Sequence, residues 1–181
     1  MSKGWKIQNP DGIYFITFAV IEWIDVFSRK LYKDEVIKSI KHCQQNKGLE
    51  LFAWCIMTNH VHLLVRAKEG FNLSNILRDL KKYTSSQIVK QIDNNKFESR
   101  KNWMMWLFKS AVQKNSNNTH YQFWRQDNHP VEMLTMEVFY QKMNYIHMNP
   151  VVEGVVDQPE YYLYSSARDY AGGRGLLELL D

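Results

Sequence analysis

The stretch Cys55-Ile56-Met57-Thr58-Asn59-His60-Val61-His62-Leu63-Leu64-Val65-Arg66 decides the fold. It consists of two apolar runs around a two-residue polar break, which is the pattern of a β-hairpin. Because side chains alternate along a strand, His60 and His62 share one face, and the apolar residues beside them share the other. The stretch therefore predicts a buried strand that presents two imidazoles on one side.

The two histidines have a spacing that suits a metal site. Residues at positions i and i+2 of a strand lie roughly 6.5 Å apart, so both imidazoles can reach one divalent cation above the sheet. A site of mixed imidazole and oxygen ligands accepts magnesium or manganese as well as other first-row metals. Two hydrogen-bonded surface histidines are the alternative, and a third ligand or a reactive group is needed to decide between them.

Composition predicts a folded, soluble intracellular protein. The chain has 181 residues, 45% of them hydrophobic and 14% aromatic, which is enough for one domain with a real core. The apolar run from Ile13 to Ile21 is too short to span a bilayer, and no signal-peptide pattern precedes it. Cys43 and Cys55 are the only cysteines; they match neither a disulfide framework nor a zinc site, and we expect them in the core.

The positive charge is unevenly distributed. The net charge is +4, and residues 78 to 114 hold nine basic residues against three acidic ones. A local excess of this kind attracts phosphate backbones. A solvated helix face is the alternative interpretation.

The first half of the chain predicts the order strand, helix, strand, strand, helix. The first strand covers 13–21, a helix runs from an N-cap at Asp34 to Gly48, and two strands cover 49–57 and 60–66. A second helix begins at Asn72 or Ser74. Its buried stripe consists of Leu73, Ile76, Leu77, Leu80 and Thr84.

This order predicts an α+β fold of the ferredoxin-like, split βαβ type, in which two helices cover one face of a central antiparallel sheet. We expect His60 and His62 on the other face. Residues 121–125 are predicted to form the fourth strand. An added C-terminal helix, from about Met136 to Met148, is capped by Thr135 and ended by Pro150.

We expect one domain over residues 1–181, with a helical and loop insertion around 94–120 and a C-terminal tail over 151–181. In the insertion, Trp103, Trp106 and Phe108 recur at helical spacing. Packing into the core is the favoured interpretation of these aromatic residues, and stacking on nucleic-acid bases is the alternative.

The added helix carries a polar face with a tyrosine at its centre. Gln141, Tyr145 and Asn149 are spaced four residues apart and so lie on one face, whereas its apolar residues lie on another. Taken alone, this pattern is that of a surface tyrosine.

Taken together, two motifs resemble the single-tyrosine HUH transposases of the IS200-like type, above all the REP-associated tyrosine transposases and related insertion-sequence enzymes. The motifs are Thr58-Asn-His60-Val-His62-Leu-Leu-Val and Tyr145-Ile-His-Met-Asn149-Pro150-Val. The resemblance runs from the first strand to Tyr170. In two places the chain departs from the pattern: Thr58 replaces a usual proline, and Trp124-Arg125-Gln126 replaces a Trp-Gln pair.

The resemblance implies an enzyme of DNA transposition and recombination. His60 and His62 would bind magnesium or manganese, with Asn149 as a further ligand and Tyr145 as the nucleophile. Single-stranded, hairpin-containing DNA would be cleaved and rejoined through a covalent 5′-phosphotyrosine intermediate.

The same resemblance assigns a role to the basic face of the second helix. Arg78, Lys81 and Lys82 would hold the phosphate backbone of a hairpin or of the strand beside it. It also implies a cytoplasmic, nucleoid-associated protein without membrane contact. Whether one chain or a homodimer forms the active site is left open, as are the DNA target and the choice of metal.

Two other functions compete with this one. A domesticated relative would bind DNA hairpins without moving them, although it would have no need of the four site residues. A metal-dependent phosphodiesterase would use His60, His62 and His129 with metal-bound water as the nucleophile. The hydrolase predicts that Tyr145→Phe retains activity, and the transposase predicts that it does not.

Overall fold

A computed structural model describes residues 7–114, 120–126 and 130–180 of the chain. The helices and strands follow in the order β1 (Tyr14–Ala19), α1 (Lys30–Lys47), β2 (Leu49–Ile56), β3 (His60–Ala67), α2 (Leu73–Asn94), α3 (Lys101–Ser110), β4 (Val131–Glu132), α4 (Met136–Val152) and α5 (Ala167–Tyr170).

The four strands form one antiparallel sheet in the order β2-β3-β1-β4. The histidine strand β3 is therefore central, between β1 and β2. In the register, His62 lies opposite Thr17 of β1 and Cys55 of β2. This strand order confirms the predicted ferredoxin-like α+β fold.

The two faces of the sheet are covered by different helices. Helices α1 and α2 pack against each other and against one face. On that side, Lys81 of α2 lies over the ring of Phe18, with its Nζ 5.3 Å from the ring centre. Helix α4 crosses the opposite face, where Tyr145 contacts His62. The histidine pair thus lies on the face free of α1 and α2, as predicted.

Local sequence signals set the ends of the first two helices. Gly48 ends α1 in the left-handed conformation, with φ at 68°, and a Cβ atom there would lie 2.5 Å from the ring of Phe71. Asn72 caps α2 by accepting a hydrogen bond from the backbone N–H of Asn75. The predicted cap at Asp34 is wrong, because α1 begins a turn earlier and Asp34 instead accepts hydrogen bonds from Lys30 and Tyr164.

The fourth strand does not lie at 121–125. It is the short β4, paired with Tyr14 and Phe15 of β1. The predicted segment runs along the same edge further on and makes a single bridge, between Trp124 and Val20. The aromatic side chains that suggested a strand are buried instead against α2, where the Trp124 indole donates to Thr84 Oγ1.

Helix α4 extends past the proline that was expected to end it. Pro150 lies inside the helix, which continues to Val152. A proline costs a helix the hydrogen bond to the carbonyl four residues earlier, here that of Ile146. Near the C-terminus this loss is tolerated, because the backbone N–H groups of Glu153 and Val155 still bond to the carbonyls of Asn149 and Pro150.

The C-terminal segment covers the outer edge of β2. Ser165 forms a β-bridge with Cys55, and the backbone N–H of Leu180 donates to the carbonyl of Leu51. The edge strand is thereby paired along part of its length, which removes a site of unwanted strand pairing. Among the described residues, none of the helices is long and apolar enough to cross a membrane.

Candidate active site

Strand β3 and helix α4 bring the four predicted site residues together. The rings of His60 and His62 lie edge to face, with centroids 4.6 Å apart. Helix α4 presents Tyr145 and, one turn later, Asn149 to the same place. The centroid of the Tyr145 ring is 5.4 Å from that of His62, and the amide nitrogen of Asn149 is 3.2 Å from His62 Nε2.

His62 is buried and fixed at both ring nitrogens. Its Nδ1 is 2.9 Å from the hydroxyl of Thr17, and its Nε2 faces the Asn149 amide. Burial, together with smaller contributions from the nearby His60 and Lys142, lowers the pKa of His62 to about 3. The imidazole is therefore neutral at pH 7. Because the amide N–H of Asn149 can only donate, Nε2 carries the lone pair and the ring proton is on Nδ1.

His60 is held by Asn59, whose own amide is fixed. The Asn59 nitrogen donates to the carbonyl oxygen of Trp23 at 3.2 Å and to Asp25 Oδ1 at 3.3 Å, which turns its oxygen toward His60 Nδ1 at 2.7 Å. That oxygen can only accept, so Nδ1 carries the proton and Nε2 is free of one. Burial lowers the pKa of His60, and the Glu153 carboxylate opposes this shift.

Tyr145 combines a packed ring with an accessible end. Its ring lies against Phe15, with centroids 5.9 Å apart, and against His62. The Lys142 ammonium lies 5.6 Å from the centre of the Tyr145 ring and 5.0 Å from that of Phe15. Tyr145 nevertheless keeps 49% of its surface exposed. The ring is thus oriented by its neighbours while a substrate can still approach.

The two imidazoles and the Asn149 amide suit a divalent cation that accepts both nitrogen and oxygen ligands. In both imidazoles the lone pair is on Nε2, the nitrogen that would bind a metal, and an oxygen atom contacts Nδ1 on the other side of each ring. In His62 this nitrogen accepts from the Asn149 amide, and a bound cation would take the place of that hydrogen bond. The third candidate ligand is the amide of Asn149. Within the described ranges no group of three or more His, Cys, Asp or Glu side chains could hold a metal, so among these residues a ligand beyond the two histidines would be of another type.

The three basic residues assigned to DNA lie apart from this cluster, on α2. Arg78 is paired with Asp79, and Asp79 also binds Lys47. Lys81 is half-buried and donates to the carbonyl of Arg125. Lys82 is exposed.

His147 is buried on the far side of α4 and forms a hydrogen bond with the hydroxyl of Ser166 at 2.8 Å. Burial lowers the pKa of His147 to about 4. Its role is structural. His129, the third ligand of the hydrolase alternative, lies outside the described residues.

Sequence reasoning missed the residues that orient the site. Thr17 and Asn59 fix the two imidazoles, and Lys142 lies over the ring of Tyr145. The only signal for Lys142 was its spacing of three residues before Tyr145. Thr17 becomes visible only once the register of β1 against β3 is known.

Comparisons with known proteins show the family of the chain and agree with its fold. Residues 11–127 match the family model described as transposase, IS200-like. A solved structure of a REP-associated tyrosine transposase bound to a REP hairpin is similar to the chain with a TM-score of 0.63, at 18% identity, covering 100% of this chain and 93% of that one. A candidate transposase from Deinococcus radiodurans gives a TM-score of 0.47 at 16% identity, covering 81% and 95%. No curated protein sequence matches significantly.

Proposed function

The chain belongs to the IS200-like transposase family, and on this premise we propose that it cleaves and rejoins single-stranded DNA with Tyr145 as the nucleophile. The observation that carries the proposal is the juxtaposition of Tyr145, His62 and Asn149 across β3 and α4. The family match covers residues 11–127, so the position of Tyr145 on α4 supports the proposal independently of that match.

In the proposed reaction the Tyr145 oxygen attacks a phosphorus atom of the DNA backbone. The bond from phosphorus to the 3′ oxygen breaks, the 3′ oxygen leaves as a hydroxyl after taking up a proton, and the proton of the tyrosine is lost to solvent. The product is a 5′-phosphotyrosine. A 3′-hydroxyl of another DNA end then attacks the same phosphorus and loses its proton to solvent. The bond from phosphorus to the Tyr145 oxygen breaks and that oxygen takes up a proton, so that strands are rejoined without ATP.

His60, His62 and Asn149 would hold a divalent cation, magnesium or manganese. When bound, the cation polarises the phosphate and stabilises the charge that develops on it. The protein's own residues keep both imidazoles neutral by burial and set their tautomers through Asn59 and Asn149. Lys142 adds a positive charge beside the nucleophile.

We propose that the substrate contains a DNA hairpin. The similar REP-associated transposase was solved with a REP hairpin, and the alignment covers this entire chain. The exposed Lys82 and the neighbouring Lys81 and Arg78 on α2 would contact the phosphate backbone. We further propose that the described elements act as one transposase domain.

Strand cleavage by purified protein tests the proposal. Labelled single-stranded oligonucleotides with hairpins, taken from the DNA beside the gene, are incubated with manganese and separated on a denaturing gel. Wild type is expected to give a covalent protein–DNA band and a shortened strand. Tyr145→Phe and His60→Ala are expected to give neither.

Tyr140→Phe is the matched control, since Tyr140 is an exposed tyrosine on the same helix and should leave cleavage unchanged. Cleavage that persists in Tyr145→Phe would favour a water-using phosphodiesterase. Binding of hairpins without cleavage by the wild type would instead identify a domesticated binding protein.

A further inference from the structure

A groove lined by three exposed tryptophans lies next to the histidine pair. Trp23 forms one wall, and Trp103 and Trp106 of α3 form the other. The three side chains keep 51%, 52% and 64% of their surface exposed. The groove has a volume of about 890 Å³, and its remaining lining includes Arg125. The interpretation that Trp103 and Trp106 pack into the core is therefore wrong; of that aromatic set only Phe108 is buried.

The exposed position of Trp23 is maintained against backbone strain. Glu22 and Trp23 both adopt positive φ, 50° and 53°, a left-handed conformation that costs a residue with a side chain roughly 1–2 kcal/mol. The Asn59 amide, which also orients His60, donates to the Trp23 carbonyl. Strain of this kind persists where the surrounding contacts impose it, and it is concentrated at functional sites.

Polar contacts fix the two walls of the groove relative to each other. Arg100, at the start of α3, donates to the carbonyl of Asp25 and to the hydroxyl of Ser28, in the loop that follows Trp23. Glu98 is buried and pairs with both Arg29 and Arg100. The groove is thus present before any ligand binds, which lowers the entropy lost on binding.

A continuous path of contacts joins the groove to the site and to α2. The ring of Trp23 meets the ring of His60 edge to face at 6.0 Å. The guanidinium of Arg125 lies over the Trp23 ring, 5.2 Å from its centre. Lys81 of α2 donates to the carbonyl of Arg125, and Lys82 follows it on the helix.

We propose that this groove binds unpaired nucleotides of single-stranded DNA next to the phosphate that is cleaved, with bases stacked on Trp23, Trp103 and Trp106. Exposed indole rings beside the Arg125 guanidinium match the chemistry of single-stranded DNA, whose bases offer an aromatic face and whose backbone is anionic. The Glu22 carboxylate at the rim is the one acidic side chain of the lining, and it disfavours an anionic ligand there. The inference rests on the proposed function, since it assigns the groove to the same DNA strand.

The test is equilibrium binding of fluorescein-labelled oligothymidylate, followed by anisotropy with the full chain and without added divalent cation, so that no cleavage is required. Trp103→Ala/Trp106→Ala is expected to bind at least about tenfold more weakly than wild type. The affinity for a blunt DNA hairpin should stay within about twofold, because such a hairpin offers no unpaired base to stack.

Phe97→Ala is the matched control: Phe97 lies just before α3, is 88% exposed and is not part of the groove lining. It should bind oligothymidylate as wild type does. Trp106→Phe retains an aromatic ring and should recover most of the affinity that Trp106→Ala loses, which separates stacking from a folding defect.

Three results would overturn the inference: wild type that does not bind oligothymidylate, a double variant with unchanged affinity, or an equal loss on the blunt hairpin. The second result is the one expected if the tryptophans bind a protein partner. These outcomes are distinct from failure of the proposed function, which is decided by covalent cleavage at Tyr145. If the wild type forms the adduct and the tryptophan variants bind normally, only the assignment of DNA binding to the groove is refuted. If binding depends on the tryptophans but no adduct forms, only the assignment of Tyr145 as the nucleophile is refuted.

Discussion

The amide nitrogen of Asn149 lies 3.2 Å from Nε2 of His62, although the two residues are 87 positions apart in the chain. This contact joins α4 to the central strand β3 at the candidate metal site. Because Tyr145 lies one turn before Asn149 on the same helix, the contact also sets the position of the proposed nucleophile relative to the histidines.

Thr17→Val tests whether the hydroxyl beside His62 supports metal binding. The change removes the partner of His62 Nδ1 and keeps the shape of the side chain. Partners of this kind orient a ligand histidine, and their loss typically weakens metal binding about 10- to 100-fold. Manganese affinity measured by calorimetry should fall by that factor. Thr17→Ser retains the hydroxyl and should bind as wild type does; equal affinities for the valine and serine variants would refute the role.

Lys142→Gln tests the charge beside the proposed nucleophile. The Lys142 ammonium is 5.6 Å from the centre of the Tyr145 ring, and a unit charge at that distance contributes roughly 0.7 kcal/mol even in a water-like medium. We expect adduct formation in a single turnover to slow by about threefold or more, and Lys142→Arg to keep most of the rate. A rate unchanged in Lys142→Gln would mean that Lys142 only packs on Phe15.

Glu98→Gln should destabilise the fold at neutral pH. Burial opposes ionisation of Glu98, but Arg100 and Arg29 outweigh it and hold the pKa below the ordinary value of 4.5. The unfolded chain therefore binds the proton more readily, so the stabilisation is present above pH 4.5 and is lost as the pH falls through the lower, folded-state pKa. At pH 7, urea unfolding should show a loss of about 2 kcal/mol.

The same experiment at lower pH supplies the check on Glu98. The difference between wild type and Glu98→Gln should shrink below pH 4.5. Asp93→Asn removes an exposed carboxylate paired with Lys101 and should change stability little at any pH, as exposed pairs do. A Glu98→Gln difference that stays constant between pH 7 and pH 3 would contradict the assignment.

Lys82→Gln tests the basic face of α2. If Lys82 contacts a phosphate, hairpin affinity should decrease and the slope of log affinity against log salt should fall by about one. Lys90→Gln removes another exposed lysine of the same helix, two turns further on. A salt slope that changes equally in both variants would indicate general charge rather than a contact at Lys82.

The sequence predicted the central hairpin and the faces on which the four candidate site residues lie, because these signals are local; the roles proposed for those residues came from the family resemblance. Alternation identified the face of His60 and His62, and four-residue spacing placed Tyr145 and Asn149 on one side of a helix. Gly48 and Thr135 ended and began their helices as expected. In each case the information lies within a few residues of the position concerned.

What could not be predicted depends on contacts between distant segments. Thr17 orients His62 only through the register of β1 on β3. The segment around Trp124 has the composition of a strand, yet the Trp124 side chain packs against α2. Trp103 and Trp106 have core-like spacing, but no element of the described chain covers them, because Phe108 and Met104 face the core instead.

The most direct test of the central claim is to map the residue that carries the DNA. Wild-type protein is incubated with a hairpin oligonucleotide and manganese, digested with trypsin, and analysed by mass spectrometry for a peptide joined to the 5′-phosphorylated fragment. The account predicts the adduct on Tyr145 and its loss in Tyr145→Phe. An adduct on another residue such as Tyr140, or cleaved DNA with no adduct on the protein, would contradict it.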